Sequence, residues 1–102
     1  MSYAQVEMHI LQWAEARRII PNAKPHTQLM KAVSELGELC DAELKGDMDG
    51  IKDGLGDVMV CLINYAALRD LDLVSCLKMA YEEIKDRKGT TLPDGTFVKH
   101  AG

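Results

Sequence analysis

Aromatic side chains are scarce in this chain: one Trp, one Phe and three Tyr amount to 5% of 102 residues. With Leu, Ala, Met, Glu and Lys prominent instead, the composition leans away from sheet and toward helix. Proline occurs only at Pro21, Pro25 and Pro93, each near an apparent break. No apolar run approaches the roughly twenty residues of a membrane span, the longest being Val58 to Ile63. Met1-Ser2-Tyr3 leads straight into polar, periodic sequence, so no secretory leader is expected. An excess of positive charge is missing too. Twelve Lys and Arg face sixteen Asp and Glu, and a net charge of −4 argues against general binding to nucleic acid or anionic membranes. The three cysteines, Cys40, Cys61 and Cys76, are an odd number with no Cys-x-x-Cys spacing. They are expected to be reduced, buried thiols of a cytoplasmic protein.

Several chemistries are absent by the same inspection. There is no Glu-x-x-His pair for a di-iron bundle, no Gly-x-x-x-x-Gly-Lys phosphate loop and no His-Glu-x-x-His zinc helix. His9, His26 and His100 are scattered and form no ligand set, and neither Ser34 nor Ser75 has a nearby His to act as a base.

What remains is an ordinary globular composition, 47% apolar and 27% charged, long enough for one domain over residues 1–102. Periodicity predicts an all-α, antiparallel four-helix bundle with a short C-terminal β-hairpin or extended tail. The helices are expected over about 2–20, 26–45, 47–69 and 72–88, with Ser2, Asp47 and Asp72 as N-caps and Gly46 as a stop. Leu29, Val33, Leu36, Cys40 and Leu44 make the apolar stripe of the second helix. In the tail over 89–102, Pro93-Asp94-Gly95 between β-favouring residues signals a hairpin. Val58 to Ile63 is apolar in every direction. So small a monomer would struggle to surround that helix, which points to a dimer or a higher assembly.

The acids are less easily explained. At about 100° per residue, Asp53, Asp57 and Asn64 share one strip of the third helix, and Asp57 opens the apolar run. Glu35 and Glu38 stand at i and i+3 on the second helix, with Lys31 one turn before Glu35. If the two helices pack antiparallel, four carboxylates converge into a hard-oxygen cage suited to Mg²⁺ or Mn²⁺. The plain alternative is a solvated acidic face, with Asp57 satisfied by a helix N-terminus or an arginine.

An ordered series of motifs resembles the MazG-like nucleoside triphosphate pyrophosphohydrolases, in their short single-domain phage and bacterial form. That family's pattern is Glu-Glu-x-x-Glu on one helix and Glu-x-x-Asp on the next. The first half is matched by Ser34-Glu35-Leu36-Gly37-Glu38-Leu39, the second by Lys52-Asp53-Gly54-Leu55-Gly56-Asp57-Val58. The likeness also takes in Trp13-Ala14, Arg18-Ile19-Ile20, Gln28 with Lys31, Tyr81 to Gly89, and Gly95-Thr96-Phe97-Val98-Lys99. Two positions depart from it. Ser34 stands where the family has its first Glu, and Gly54 where it has the Glu of Glu-x-x-Asp; by the resemblance, Asp53 would be the substitute carboxylate.

The resemblance implies metal-assisted attack of water on the α-phosphorus of an NTP or dNTP, giving the monophosphate and pyrophosphate. Glu35, Glu38, Asp53 and Asp57 would ligate Mg²⁺, with Mn²⁺ a possible substitute, and Glu35, Glu38 and Asp57 would be the catalytic acids. Lys31 would contact phosphate or pair with Glu35. Lys85, Arg87 and Lys88 would reach phosphates of a neighbouring subunit or complement a helix dipole. Asn64 would bind sugar or base, or bridge helices; Trp13 would stack on a base or sit in a core or interface; Gln28 matches the family without a distinctive chemistry. The expected partners are the nucleotide and further copies of the chain, as homodimer or homotetramer, in the cytoplasm of a bacterial cell or a phage-infected host. Two other functions stay open: a helical nucleotide-binding or interaction module without activity, and a hydrolase of the alarmone ppGpp.

Overall fold

The computed structural model describes residues 1–100; the last two positions of the expected tail lie outside the described residues. Its elements run α1 (Tyr3–Ala16), α2 (Ile19–Asn22), α3 (Pro25–Lys45), α4 (Met48–Leu68), α5 (Leu73–Ile84), β1 (Gly89–Thr91) and β2 (Phe97–Lys99). Ser2 caps α1 through a capping box: its hydroxyl accepts from Gln5 N–H while the Gln5 side chain accepts from Ser2 N–H. The first helix stops at Ala16, short of residue 20. Arg18 is left-handed (φ 61°), and Ile20, ahead of Pro21, is pushed to extended backbone (φ −102°, ψ 126°), as residues before proline are.

The spine is the antiparallel pair α3–α4. Gly46, at φ 66°, closes α3 in a conformation that side chains resist, and the Asp47 carboxylate accepts from Gly50 N–H to start α4. The two helices meet through small residues. Ala32 and Ala42 are buried on α3 and Gly54 on α4; a Cβ at Gly54 would lie 3.1 Å from Leu39 Cβ and 3.2 Å from Leu39 Cα. Gly54 is therefore a close-packing residue at the position where the family pattern has a carboxylate.

This contact corrects the expected packing of α3. The helix turns Ala32, Leu39 and Ala42 toward α4, and the Leu29–Leu44 stripe is left exposed. Cys40, on that stripe, and Cys76 are exposed as well; only Cys61 is a buried thiol, and all three are free.

α1 lies along α4, burying Ala14 completely and setting Glu7 and Leu11 beside Ile63 and Ala66. Asp72 caps α5 by accepting from Ser75 N–H and its hydroxyl. The helix ends at Ile84 and not at Lys88, because the chain beyond it is drawn into the hairpin: His100 N–H donates to the Lys88 carbonyl. β1 and β2 pair antiparallel, Thr90 opposite Val98, around a turn in which Asp94 accepts from Thr96 N–H and Gly95 takes φ 91°. No helix among the described residues is long and apolar enough to cross a membrane.

Candidate active site

A cavity of about 500 Å³ opens between α1, α3 and α4. From α3 come Gln28, Lys31 and Glu35, one turn apart; α4 supplies Asp57, Val60, Cys61 and Asn64 on the matching strip; α1 contributes His9, Ile10 and Trp13, and α2 adds Ile19. Helical spacing of three and four residues on two antiparallel helices thus sets acids, a lysine and two amides around one hollow. Six of the residues expected at the site, Trp13, Gln28, Lys31, Glu35, Asp57 and Asn64, are brought together here.

The electrostatics concentrate on Glu35. The neighbouring Glu38 carboxyl raises its pKa above the usual range, and partial burial and the charges of Glu38 and Asp57 add to the shift. Lys31 pulls the other way. These three acids are near enough to repel one another, and a divalent cation would relieve that repulsion. The donors are hard carboxylate oxygens, which suit Mg²⁺ or Mn²⁺. Among the described residues, though, no three acids, histidines or cysteines form a ready cluster for a metal. Glu38 and Asp53 line an adjoining groove with Asp41, Lys45 and Asp47, so gathering all four carboxylates requires side-chain rotation on the exposed helix faces.

Asn64 is the most completely buried large side chain, 2% exposed, and its Oδ1 has no hydrogen-bond partner. An orphan amide oxygen at the floor of a cavity is costly unless a ligand or water supplies a donor. Trp13, at 44% exposure, stands on the rim and not in a core, with the Arg17 guanidinium 4.4 Å from its ring centroid. Cys61 lies beside the acids, and burial pushes its thiol pKa up.

The basic cluster lies elsewhere. Lys85 pairs with Glu82 at 2.6 Å, while Arg87 and Lys88 line a separate hollow with Lys99 and His100. Within one chain, none of the three reaches the cavity. Conversely, sequence reasoning passed over His9, Ile10, Ile19, Val60 and Cys61. His9 and Trp13 stand at i and i+4, and Cys61 is one turn past Asp57, so the spacing carried a signal for both.

A family model for the MazG nucleotide pyrophosphohydrolase domain matches residues 23–91, which include both acidic helices but not α1. An uncharacterized 18.2 kDa protein from the rep-hol intergenic region of Haemophilus phage HP1 (strain HP1c1) is 37% identical over 70 residues. That match covers 69% of this chain but 43% of the relative, so the chain spans less than half of its length. Among solved structures, a cyanophage S-2L MazG-like pyrophosphohydrolase, bound to dGDP and three catalytic Mn²⁺ ions per active site, superposes with a TM-score of 0.71. The likeness covers 99% of both chains at 19% identity and is one of fold.

Proposed function

The chain belongs to the MazG nucleotide pyrophosphohydrolase family, and we propose that it hydrolyses a nucleoside triphosphate to the monophosphate and pyrophosphate in the cavity between α1, α3 and α4. The observation that carries this reading is the joining of Glu35 and Asp57, on facing helices, to a cavity large enough for a nucleoside. Glu35, Glu38, Asp53 and Asp57 would hold Mg²⁺, or Mn²⁺ as in the cyanophage protein, an ion that when bound neutralises phosphate charge and lowers the pKa of a bound water.

The chain's own groups do the rest. Lys31 faces the acids from one turn away and offers a positive contact to a phosphate oxygen. Glu35, whose proton affinity is raised by Glu38, would orient the attacking water and accept its proton. The Trp13 ring on the rim gives a base a stacking surface, and the unpaired Asn64 Oδ1 awaits a donor from base or sugar. Gln28, on the same wall, supplies a second amide. The nucleotide bound to the cyanophage relative supports a nucleotide substrate. Arg87 and Lys88, and Lys85 if released from Glu82, would serve only across an assembly of two or four chains. The phage relative fits a cytoplasmic setting in an infected bacterium.

The test is incubation of pure protein with each NTP and dNTP plus Mg²⁺, assaying monophosphate and pyrophosphate, with ppGpp as competitor. Turnover of at least one triphosphate is expected; no turnover with any canonical or damaged nucleotide would refute the proposal. Preferential cleavage of ppGpp would move the substrate to the alarmone. A second reading, nucleotide binding without hydrolysis, draws on Gly54, where packing against Leu39 leaves no carboxylate. Failure to bind Mg²⁺ or Mn²⁺ in a titration, with nucleotide present or absent, would favour it.

A further inference from the structure

Trp13 stands on the rim of the cavity, 44% exposed, in the last turn of α1. Packing alone fixes an indole poorly in such a place. On a helix its first torsion has two accessible wells and its second is roughly two-fold, so about four orientations compete. Only an orientation that turns a ring face to the hollow offers a base a stacking surface.

Arg17 settles that competition. It is the C-cap of α1, one turn beyond Trp13, and a helical side chain leans back over the turn before it. Its guanidinium carbon lies 4.4 Å from the Trp13 ring centroid. Its Nη1–H donates to the Trp13 carbonyl at 3.3 Å, the same carbonyl that accepts the Arg17 backbone N–H. A flat cation is thus tied to the backbone of the residue whose ring it covers. No carboxylate among the described residues pairs with Arg17, so no acid draws the guanidinium off the ring. Trp13 lines the cavity and Arg17 does not. One ring face is therefore occupied from outside the hollow, and the other is free.

We propose that Arg17 is a positioning residue: it clamps Trp13 in the orientation that makes one wall of the nucleotide cavity, without touching the nucleotide. The proposal rests on the cavity's being a nucleotide site; it does not require that the bound nucleotide be hydrolysed. Without the clamp the ring spreads over about four orientations, of which one binds, and affinity falls about fourfold with the competent fraction.

The probes are the α,β-methylene analogues of the four deoxynucleoside triphosphates, with Mg²⁺. They cannot be cleaved at the α–β bridge, so equilibrium dialysis reads binding apart from turnover. The wild-type chain is expected to bind at least one analogue. Binding of none would overturn this proposal together with the nucleotide reading, whereas binding without turnover of the parent triphosphate would overturn hydrolysis alone. Arg17 is exposed at a helix end, so Arg17→Ala leaves the packing intact. The variant is expected to raise the dissociation constant about fourfold, while kcat for the parent triphosphate holds because none of the acids is altered. Trp13 is the only tryptophan, so its fluorescence reports on the ring itself, and quenching by acrylamide is expected to rise as the covered face opens. In a Trp13→Ala background, the same Arg17→Ala change is expected to have no further effect on binding. An unchanged dissociation constant or unchanged quenching in Arg17→Ala would overturn the proposal. So would a loss of affinity that persists without Trp13, which would make Arg17 a direct contact to the nucleotide.

Discussion

Replacing Gly54 by Ala tests the account of the α3–α4 contact. In an open helix position the change stabilises, by roughly 0.5–1 kcal/mol, because Ala loses less backbone entropy than Gly. At Gly54 the new Cβ would stand 3.1 Å from Leu39 Cβ, 3.2 Å from Leu39 Cα and 3.3 Å from Leu39 Cδ1. The terminal methyl can rotate away, but the Cα belongs to the backbone of α3, so the helices must separate by a few tenths of an ångström. Overpacking of this kind costs about 1–3 kcal/mol, which outweighs the propensity gain and leaves a net loss of about 1 kcal/mol. Gly56, two residues on in the same helix, has nothing within 4 Å of its Cβ site, and Gly56→Ala supplies the control. Followed by circular dichroism at one fixed protein concentration, the two variants are expected to melt about 10 °C apart, with Gly54→Ala below wild type and Gly56→Ala above it. Gly54→Ala melting at or above Gly56→Ala would refute the close-contact reasoning. Gly54→Glu restores the family's carboxylate pattern but is expected to be less stable still and no more active.

Further outcomes can be checked one by one. Asp57→Ala is expected to abolish pyrophosphate release, a loss of at least about a hundredfold in kcat, while the helical spectrum and sedimentation stay unchanged; an active variant would remove Asp57 from the site. Asn64→Leu removes an orphan buried oxygen, so the melting temperature should hold or rise while KM for the nucleotide increases about tenfold; an unchanged KM would make Asn64 a core residue only. The nearby Glu7 carboxylate pushes the Tyr3 phenol pKa up to about 12. Because the folded value lies above the ordinary 10.0, this pair contributes stability fully below pH 10 that is lost as pH rises through 12. Glu7→Gln should bring Tyr3 back toward 10.0 in an ultraviolet titration, and no movement would show that Glu7 is not the cause. Asp72 behaves in the opposite sense: its bonds from Ser75 hold its pKa below 3.8. Its capping stability is present above that pH and is lost as pH falls through the lower folded value. Asp72→Ala should erase that acid-side dependence.

Helix content, the caps and the hairpin turn were legible in the chain because each rests on local chemistry. Ser2 with Gln5, Asp47, Asp72, Gly46 and Asp94-Gly95 act within four residues of themselves, and no distant contact overrides them. The site was legible to the extent that helical spacing determines it. Lys31, Glu35, Asp57 and Asn64 share a hollow because steps of three, four and seven residues place them on facing strips.

What periodicity could not tell was which apolar strip of α3 faces its own chain. Leu29, Val33 and Leu36 have the better hydrophobic pattern, yet Ala32 and Ala42 make the contact, because small residues let two helices approach across Gly54. The destination of Asp53 and of the basic residues after Ile84 was equally nonlocal. Asp53 turns to a neighbouring groove, and Arg87 and Lys88 follow the chain into the hairpin. Sequence by itself determined the helices and which acids share a strip, since these follow from bonds and spacing along the chain. Only the tertiary structure decided that α1 roofs the acids with Trp13 and His9, that Gly54 is a packing residue, and that a wide apolar face is left uncovered. Each of these depends on how closely two helix surfaces can approach, and the volumes of side chains far apart in sequence set that distance.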